Sequence, residues 1–376
     1  MKILGIETSC DETAISIIEA TGGLEKPSFA VLSEVTITQL DLHKAYGGVV
    51  PSLAKREHQR TLMPVLIEAI ERSGVACEKK TIAQIPELEA LLPKEPDLLA
   101  AFLHRKDEFL FPNIDAIAVT HGPGLEPALW VGVNFAKALS LVWGVPIVPV
   151  NHMEGHLLSG LLEGAISFPT LGLLVSGGHT ELVLAKAWCD YEILGATRDD
   201  AVGEAFDKVA RLLGLPYPGG PAISKLAEEP SELAFTLPRP MIHSDNYDFS
   251  FAGLKTAVLY LTKELGALSD EQKRAIAREF QNAAIDVLIS KTKRALEQYS
   301  PRSFVIGGGV SANTELRRRM TELLHDEFPD TTLTIPSFKM STDNATMIAI
   351  AGYIRHQKGG IREAGEIRAE GNLSLA

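Results

Sequence analysis

Lys2-Ile3-Leu4-Gly5-Ile6-Glu7-Thr8-Ser9-Cys10-Asp11-Glu12-Thr13-Ala14-Ile15-Ser16-Ile17-Ile18 reads as an apolar strand, a polar turn and a second apolar strand. The pattern returns near the middle of the chain. Leu171 to Val175 and Glu181 to Ala185 flank a second small polar turn, Ser176-Gly177-Gly178-His179-Thr180. A strand, turn and strand repeated at a long interval predict an internally duplicated chain with two similar lobes. Between the hairpins, Ile114 to Thr120 reads as a strand, His121-Gly122-Pro123-Gly124 as a tight loop, Pro127 to Val142 as an apolar helix and Val145 to Val150 as a further strand. That order is a right-handed βαβ unit, with Pro127 suited to a first helical turn. Later, the strand Ser303 to Ile306 runs into Gly307-Gly308-Gly309 and the helix Thr314 to Leu324, and a last helix spans Ala345 to His356. The alternation predicts an α/β fold. We place the first lobe at residues 1–155, with an insertion at 76–113 and a completing segment at 345–370. The second lobe is placed at 168–340, and residues 357–376 are read as a flexible tail.

Composition narrows the function. Apolar residues make up 45% of the 376 residues, and the longest apolar stretch, Leu139 to Val150, is broken by Gly144, Pro146 and Pro149 and too short for a bilayer. Neither a secretory nor a transit segment opens the chain, so a cytoplasmic location is expected. The three cysteines, Cys10, Cys77 and Cys189, lack Cys-x-x-Cys spacing, which argues against a disulfide framework and a thiolate zinc site. A net charge of −12 is the wrong sign for gripping a nucleic-acid backbone by the global field, so any such contact must be local or shared.

Chemistry concentrates in a few places. Asn151-His152-Met153-Glu154-Gly155-His156 sets two imidazoles four residues apart where a strand meets a helix, a spacing that lets both grip one metal ion. Asp343, in Ser341-Thr342-Asp343-Asn344, could supply a carboxylate to the same ion. With ten histidines, such a pair arises by chance in roughly one comparable chain in four, so the spacing alone leaves both readings open. Glu154 should point about 200° around the helix from His152, which disfavours a His-Glu-x-x-His peptidase. Turns around Thr8, Gly177-Gly178 and Gly307-Gly308-Gly309 sit at strand ends and bring backbone N–H groups near any anion, suggesting a nucleotide cleft. The first turn has no glycine and no Walker lysine follows any turn, which excludes Rossmann and P-loop sites.

Taken in order, Ile6 to Thr13, Tyr46 to Pro51, Gly122-Pro123-Gly124, His152 to His156, Val175 to Thr180, Gly203 to Lys208, Tyr217 to Pro221, Phe249 to Lys255, Gly308 to Asn313 and Thr342-Asp343-Asn344 cover nearly the whole chain. This succession resembles the tRNA N6-adenosine threonylcarbamoyltransferase family, long labelled glycoprotein endopeptidases. The resemblance implies the duplicated fold of actin, Hsp70 and sugar kinases, with a nucleotide and metal cleft between two lobes. It further implies transfer of threonylcarbamoyl from threonylcarbamoyl adenylate to N6 of adenosine 37 in tRNAs reading ANN codons, with release of AMP.

Carried over by position, the resemblance makes His152, His156 and Asp343 ligands of one divalent metal, iron or zinc. It makes Leu174, Val175, Ser176, Gly177, Gly178, Asp207, Gly220 and Asn313 the adenylate contacts, with Asp207 on the ribose. Asp11 and Glu12 are candidates for proton transfer or acceptor positioning, against a plain solvated turn. It also implies a shorter paralogue of the same fold and a small P-loop ATPase as partners, beside tRNA, and no membrane. Asn151 stands where bacterial relatives commonly carry histidine, Leu174 where archaeal relatives carry tyrosine, and residues 76–113 exceed the family's usual connection. An actin-fold small-molecule kinase would leave the histidine pair unexplained, a metal-dependent peptidase would leave the nucleotide loops idle, and a non-catalytic scaffold would be expected to lack ligands.

Overall fold

The computed structural model describes all 376 residues and divides them into two compact units, Met1–Leu162 with Asp343–Leu375, and Glu163–Thr342 with Ala376. In the first unit β1 (Lys2–Glu7), β2 (Glu12–Thr21) and β3 (Ser28–Thr38) form an antiparallel meander. A separate ribbon of β4 (Cys77–Lys80) and β5 (Phe109–Pro112) follows. Two parallel strands, β6 (Ala116–Gly122) and β7 (Ile147–Asn151), then complete a sheet ordered β3-β2-β1-β6-β7. The second unit repeats this plan with β8 (Thr170–Val175), β9 (Thr180–Ala187), β10 (Asp190–Ala196), β11 (Ser303–Gly307) and β12 (Thr332–Thr334), ordered β10-β9-β8-β11-β12. Each sheet has two antiparallel pairings on one side of its first strand and two parallel pairings on the other. The echo between the two hairpins is thus a repeat of topology, and the fold is the duplicated α/β arrangement.

Each unit has its own apolar core. Leu4, Ile6, Ile15, Ile17, Ile117 and Val119 anchor the first, and Leu171, Leu173, Phe206, Phe280, Phe304 and Ile306 the second. The runs buried on both faces, such as Ile3 to Ile6, read as continuous apolar sequence because helices cover both sides of the parallel strands. No helix is long and apolar enough to cross a membrane.

The helix Ala345–Gln357 is buried from Ala345 through Ile354 and lies against β1, β2 and β6 of the first sheet. It approaches so closely that a Cβ on Gly5 would stand 2.3 Å from the Ala345 carbonyl oxygen, and one on Gly352 the same distance from the Ala118 Cβ. Glu34 caps the near end, accepting from the Thr346 N–H at 2.9 Å and from the Thr346 hydroxyl, a favourable place for a carboxylate against the helix dipole.

Two expectations need correction. Residues 76–113 are more than a surface insertion: helices Ile85–Leu91 and Pro96–His104 bury Leu88, Leu98 and Phe102 in the first unit's core, with Phe102 stacked on Phe109 at 5.4 Å and tilted against Phe135 at 5.8 Å. Residues 357–376 are not a free tail. Arg362 N–H donates to Ile147 O at 3.1 Å, Glu370 N–H to His121 O at 2.8 Å, and Lys137 Nζ to Ile367 O at 2.8 Å, while Ile367, Ala369 and Leu375 are buried. Those apolar residues lack a sustained period because the segment is held by isolated backbone bonds rather than as a strand or helix.

We expect Gly5→Ala to lower stability by about 2–3 kcal/mol, the range for overpacking a tight interface, because the obstructing atom is backbone. Urea unfolding of the two proteins checks this; an unchanged midpoint would show that the helix seat yields easily.

Candidate functional site

Asn151 ends β7 and accepts N–H bonds from Met153 at 2.8 Å and Glu154 at 3.4 Å, capping the helix His152–Leu158. Such a cap contributes about 1 kcal/mol and fixes where the first helical turn points. Both histidines of that helix are buried, with rings crossing edge to face at 4.7 Å. Their Nε2 atoms converge on one oxygen, Asp343 Oδ1, at 3.4 Å from His152 and 3.1 Å from His156. The three potential ligand atoms all lie within 4.8 Å of one another.

The surroundings match what a metal would need. A tetrahedral ion bonded at ordinary nitrogen and oxygen distances separates its ligands by about 3.3 Å, close to the two Nε2–Oδ1 distances. Behind His152, Glu7 Oε2 sits 3.0 Å from Nδ1 and also receives the Thr120 hydroxyl at 2.7 Å, while the Ser9 hydroxyl lies 3.2 Å from the same ring nitrogen. A carboxylate on Nδ1 would hold that proton and leave Nε2 free to bind an ion, the usual support of a metal-binding imidazole. Glu154, predicted to face away from the histidines, is fully buried and pairs with Arg355 of the last helix. That ion pair ties the histidine helix to the helix following Asp343.

Charges inside the cluster set one another's protonation. Burial works to raise the Asp343 and Glu7 carboxyls, yet His152 holds both below the usual carboxylate range, joined at Asp343 by His156. Burial opposes protonation of His152, but Asp343 and Glu7 together push it well above an ordinary imidazole. For His156 burial wins and the ring is pushed down; its Nδ1 is buried without a partner. The same fields reach the first turn. Burial, then the charges of Asp343 and Asp11, push the Glu12 carboxyl well up, and Asp11 is within hydrogen-bonding reach of it. Buried Asp11 and half-buried Glu12 therefore belong to the neighbourhood of the cluster. His58 braces this turn: Nε2 meets Cys10 O at 3.0 Å and Nδ1 the Thr13 hydroxyl at 2.8 Å.

The second unit carries a cavity of about 460 Å³ lined by Gly177, Asp207, Gly220 and Asn313 of the expected set, with Phe206, Pro218 and Val310 as apolar walls. Asp207 Oδ1 accepts the Gly219 N–H at 2.6 Å, and burial pushes its carboxyl up. Asn313 caps the helix Thr314–Glu327 through Leu316 N–H at 2.9 Å and donates to Ser224 and Gln281, so its side chain also builds the wall. Leu174 and Val175 are wholly buried in β8 and do not line the cavity. Neither do Ser176 and Gly178. Ser176 Oγ accepts the Gly178 and His179 N–H groups, so the turn spends two of its donors on itself. Gly308, at φ 88°, tucks where a Cβ would stand 2.4 Å from Val175 O, holding the last glycine loop against β8. Sequence reading missed Glu7, Thr120, Phe206, Ser224 and Lys225. For Glu7 a signal existed: a carboxylate ending an otherwise apolar strand.

Residues 30–84 and 98–350 match the profile of the family described as tRNA N6-adenosine threonylcarbamoyltransferase. The chain belongs to this family. It is 42% identical to the tRNA N6-adenosine threonylcarbamoyltransferase of Geobacillus kaustophilus, over 95% of the chain and 92% of the relative. With the enzyme of the same name from Anaeromyxobacter dehalogenans strain 2CP-1 the identity is 44%, over 93% of both. The chain also superposes on full-length HypF, a crystal structure in phosphate- and nucleotide-bound form, with a TM-score of 0.55 at 14% identity, covering 95% of this chain and 46% of that one. At that identity only the fold is shared. As a member of the threonylcarbamoyltransferase family, the protein is an enzyme of tRNA modification that transfers the threonylcarbamoyl group to N6 of adenosine. The kinase and peptidase alternatives fall away, the latter also on the geometry of Glu154.

Burial lowers His58 from 6.5 to about 4. As pH falls from 6.5, the unfolded chain takes up this proton before the folded one, so stability fully present above 6.5 is lost on the way down to 4. The loss is on the order of 3 kcal/mol at full extent. In unfolding titrations at pH 7 and pH 5, His58→Gln is expected to flatten the decline; equal slopes would assign the acid sensitivity elsewhere.

Proposed function

We propose that the donor is threonylcarbamoyl adenylate and the acceptor is adenosine 37 of tRNAs reading ANN codons, with AMP released. His152, His156 and Asp343 would hold one divalent ion, iron or zinc. When bound, that ion supplies a Lewis acid that draws charge from an oxygen of the donor. The observation carrying the proposal is the convergence of both Nε2 atoms on Asp343 Oδ1 with Glu7 behind His152.

The chain's own groups do the rest. Asp207 accepts hydroxyls of the ribose, and Phe206, Pro218 and Val310 offer apolar surface to the adenine, with Gly177 and Gly220 leaving room. Thr342 lines that cavity and is followed directly in the chain by Asp343. The N6 lone pair forms a bond to the carbamoyl carbon, the bond from that carbon to the phosphate oxygen breaks, and AMP departs with the electron pair. The proton lost by N6 passes to Glu12. In its ionised form, a carboxylate whose affinity for protons is raised by burial and by its acidic neighbours is a stronger base than an ordinary glutamate, the direction that favours this role. Asp11 positions Glu12. The seat of action is the cytoplasm, and tRNA is held together with a shorter paralogue of the same fold and a small P-loop ATPase, which extend the basic surface that a chain of charge −12 lacks.

A single-turnover assay with pre-formed threonylcarbamoyl adenylate, tRNA and partners tests the reading. His156→Ala is expected to lose bound metal, measured by elemental analysis, and to form no modified adenosine; full transfer by metal-free variant protein would sink the metal assignment. Glu12→Gln is expected to keep its metal and slow transfer by about 100-fold, the lower end for a lost general base. A native rate in that variant over the acidic limb of the pH profile would remove Glu12 from proton transfer.

A further inference from the structure

Beside the turn that carries Asp11 and Glu12, the first unit buries three polar side chains: Gln39 at 6% exposure, and His43 and His58 at none. They are hydrogen-bonded in a line. His43 Nδ1 receives the Val50 N–H at 3.3 Å, and its Nε2 meets Gln39 Oε1 at 3.2 Å. Gln39 Nε2 reaches Ala54 O at 3.5 Å and His58 Nδ1 at 3.4 Å, and His58 Nε2 ends the line on Cys10 O at 3.0 Å. The line begins in the Tyr46 to Pro51 motif and ends in the Ile6 to Thr13 motif, so it joins two of the segments picked out in the sequence.

Backbone groups fix every direction along it. An amide N–H can only donate, so His43 Nδ1 is bare and its Nε2 carries the proton. That proton goes to Gln39 Oε1, which leaves the Gln39 amide hydrogens for Ala54 O, an obligate acceptor, and for His58. Cys10 O can only accept, so the His58 proton is on Nε2, and Nδ1 faces the Gln39 amide and the Thr13 hydroxyl as an acceptor. Gln39 adds a second hold, its backbone N–H donating to Asp11 O at 2.9 Å. Cys10 O and Asp11 O lie in the two peptide planes that flank Asp11, and the second plane carries the Glu12 nitrogen. Holding both carbonyls restrains the directions in which the Asp11 and Glu12 side chains leave the backbone.

We propose that His43 and Gln39 are positioning residues for Glu12: acting through His58, they hold the turn from Cys10 to Glu12 so that the carboxylate meets the proton lost by N6. A turn that served folding alone could rest on apolar side chains, which cost less to bury than a glutamine and two imidazoles. A polar line with its partners in place instead specifies one arrangement. The role rests on Glu12 as the proton acceptor; the hydrogen-bond line itself does not.

Two measurements separate the line from the reading it serves. In nitrogen NMR of the full-length protein, isotope-labelled at histidine, His43 and His58 are expected to show a bare Nδ1 and a protonated Nε2. A proton on Nδ1 of either ring would overturn the line whatever the activity. In single-turnover transfer at saturating donor and tRNA, His43→Phe, which can neither accept from Val50 nor donate to Gln39, is expected to slow the rate constant by about 10-fold. Metal content and tRNA affinity are expected to stay at native values. His43→Gln, which keeps one acceptor and one donor, is expected to restore most of the rate. In a Glu12→Gln background His43→Phe is expected to slow transfer no further, as for residues that act as a unit. An equal slowing in that background, or a native rate for His43→Phe alone, would sink the positioning role. A native rate for Glu12→Gln alone would fall on the reading of Glu12 and take the role with it, while the nitrogen spectrum still decides whether the line exists.

Discussion

The last helix, Ala345–Gln357, is pressed onto β1 with no room for a single extra carbon at Gly5. Most of what distinguishes the first unit depends on that seat. The helix begins two residues after Asp343, so its depth on the sheet sets where that carboxylate stands. Glu34 closes the helix start from β3, and Arg355, near its other end, reaches the buried Glu154 between the two histidines. Because Glu154 is wholly buried, breaking its ion pair with Arg355 would be costly, by about 3–5 kcal/mol. The ion pair therefore ties the histidine helix to the helix that follows Asp343.

The cluster itself solves a problem of burial. Glu7 and Asp343 are carboxylates in a region that disfavours charge, and each finds His152. One imidazole cannot satisfy two acids without imposing an order on them. Glu7 takes Nδ1, Asp343 faces Nε2, and His156, with no acid on its own Nδ1, adds a second nitrogen toward Asp343. Such an order suits a cation placed among the Nε2 atoms and Asp343. The field of the cluster extends to Glu12, whose carboxyl is raised by burial and by its acidic neighbours.

Duplication explains why two different chemistries sit on one plan. Both sheets have the same strand order, and in both the first hairpin turn lies at the end of the central strand. In the first unit that turn carries Asp11 and Glu12 and is braced by His58. In the second it is Ser176-Gly177-Gly178, closed by its own hydroxyl, beside a cavity whose polar floor is Asp207. One position in a repeated fold has thus become acidic in one copy and small in the other.

Much of this was legible in the chain. Alternating apolar runs and glycine turns establish the α/β class and the two sheets because strand and helix periods are local properties. The His152 and His156 pair was readable as a ligand spacing, since four residues on a helix share a face. Asp343 was readable as a carboxylate at a helix mouth that could join the pair, but Asp207 and Asn313 could be assigned only through motif resemblance; pattern alone says nothing about residues from distant segments. Glu7, Thr120 and Arg355 were missed for the same reason, their roles arising from contacts across 113 to 201 residues of chain. The final segment looked free because isolated backbone bonds leave no period. The burial of Glu95 has no sequence signature at all, since only packing decides whether a glutamate at a helix start caps that helix or is turned inward beside Lys55.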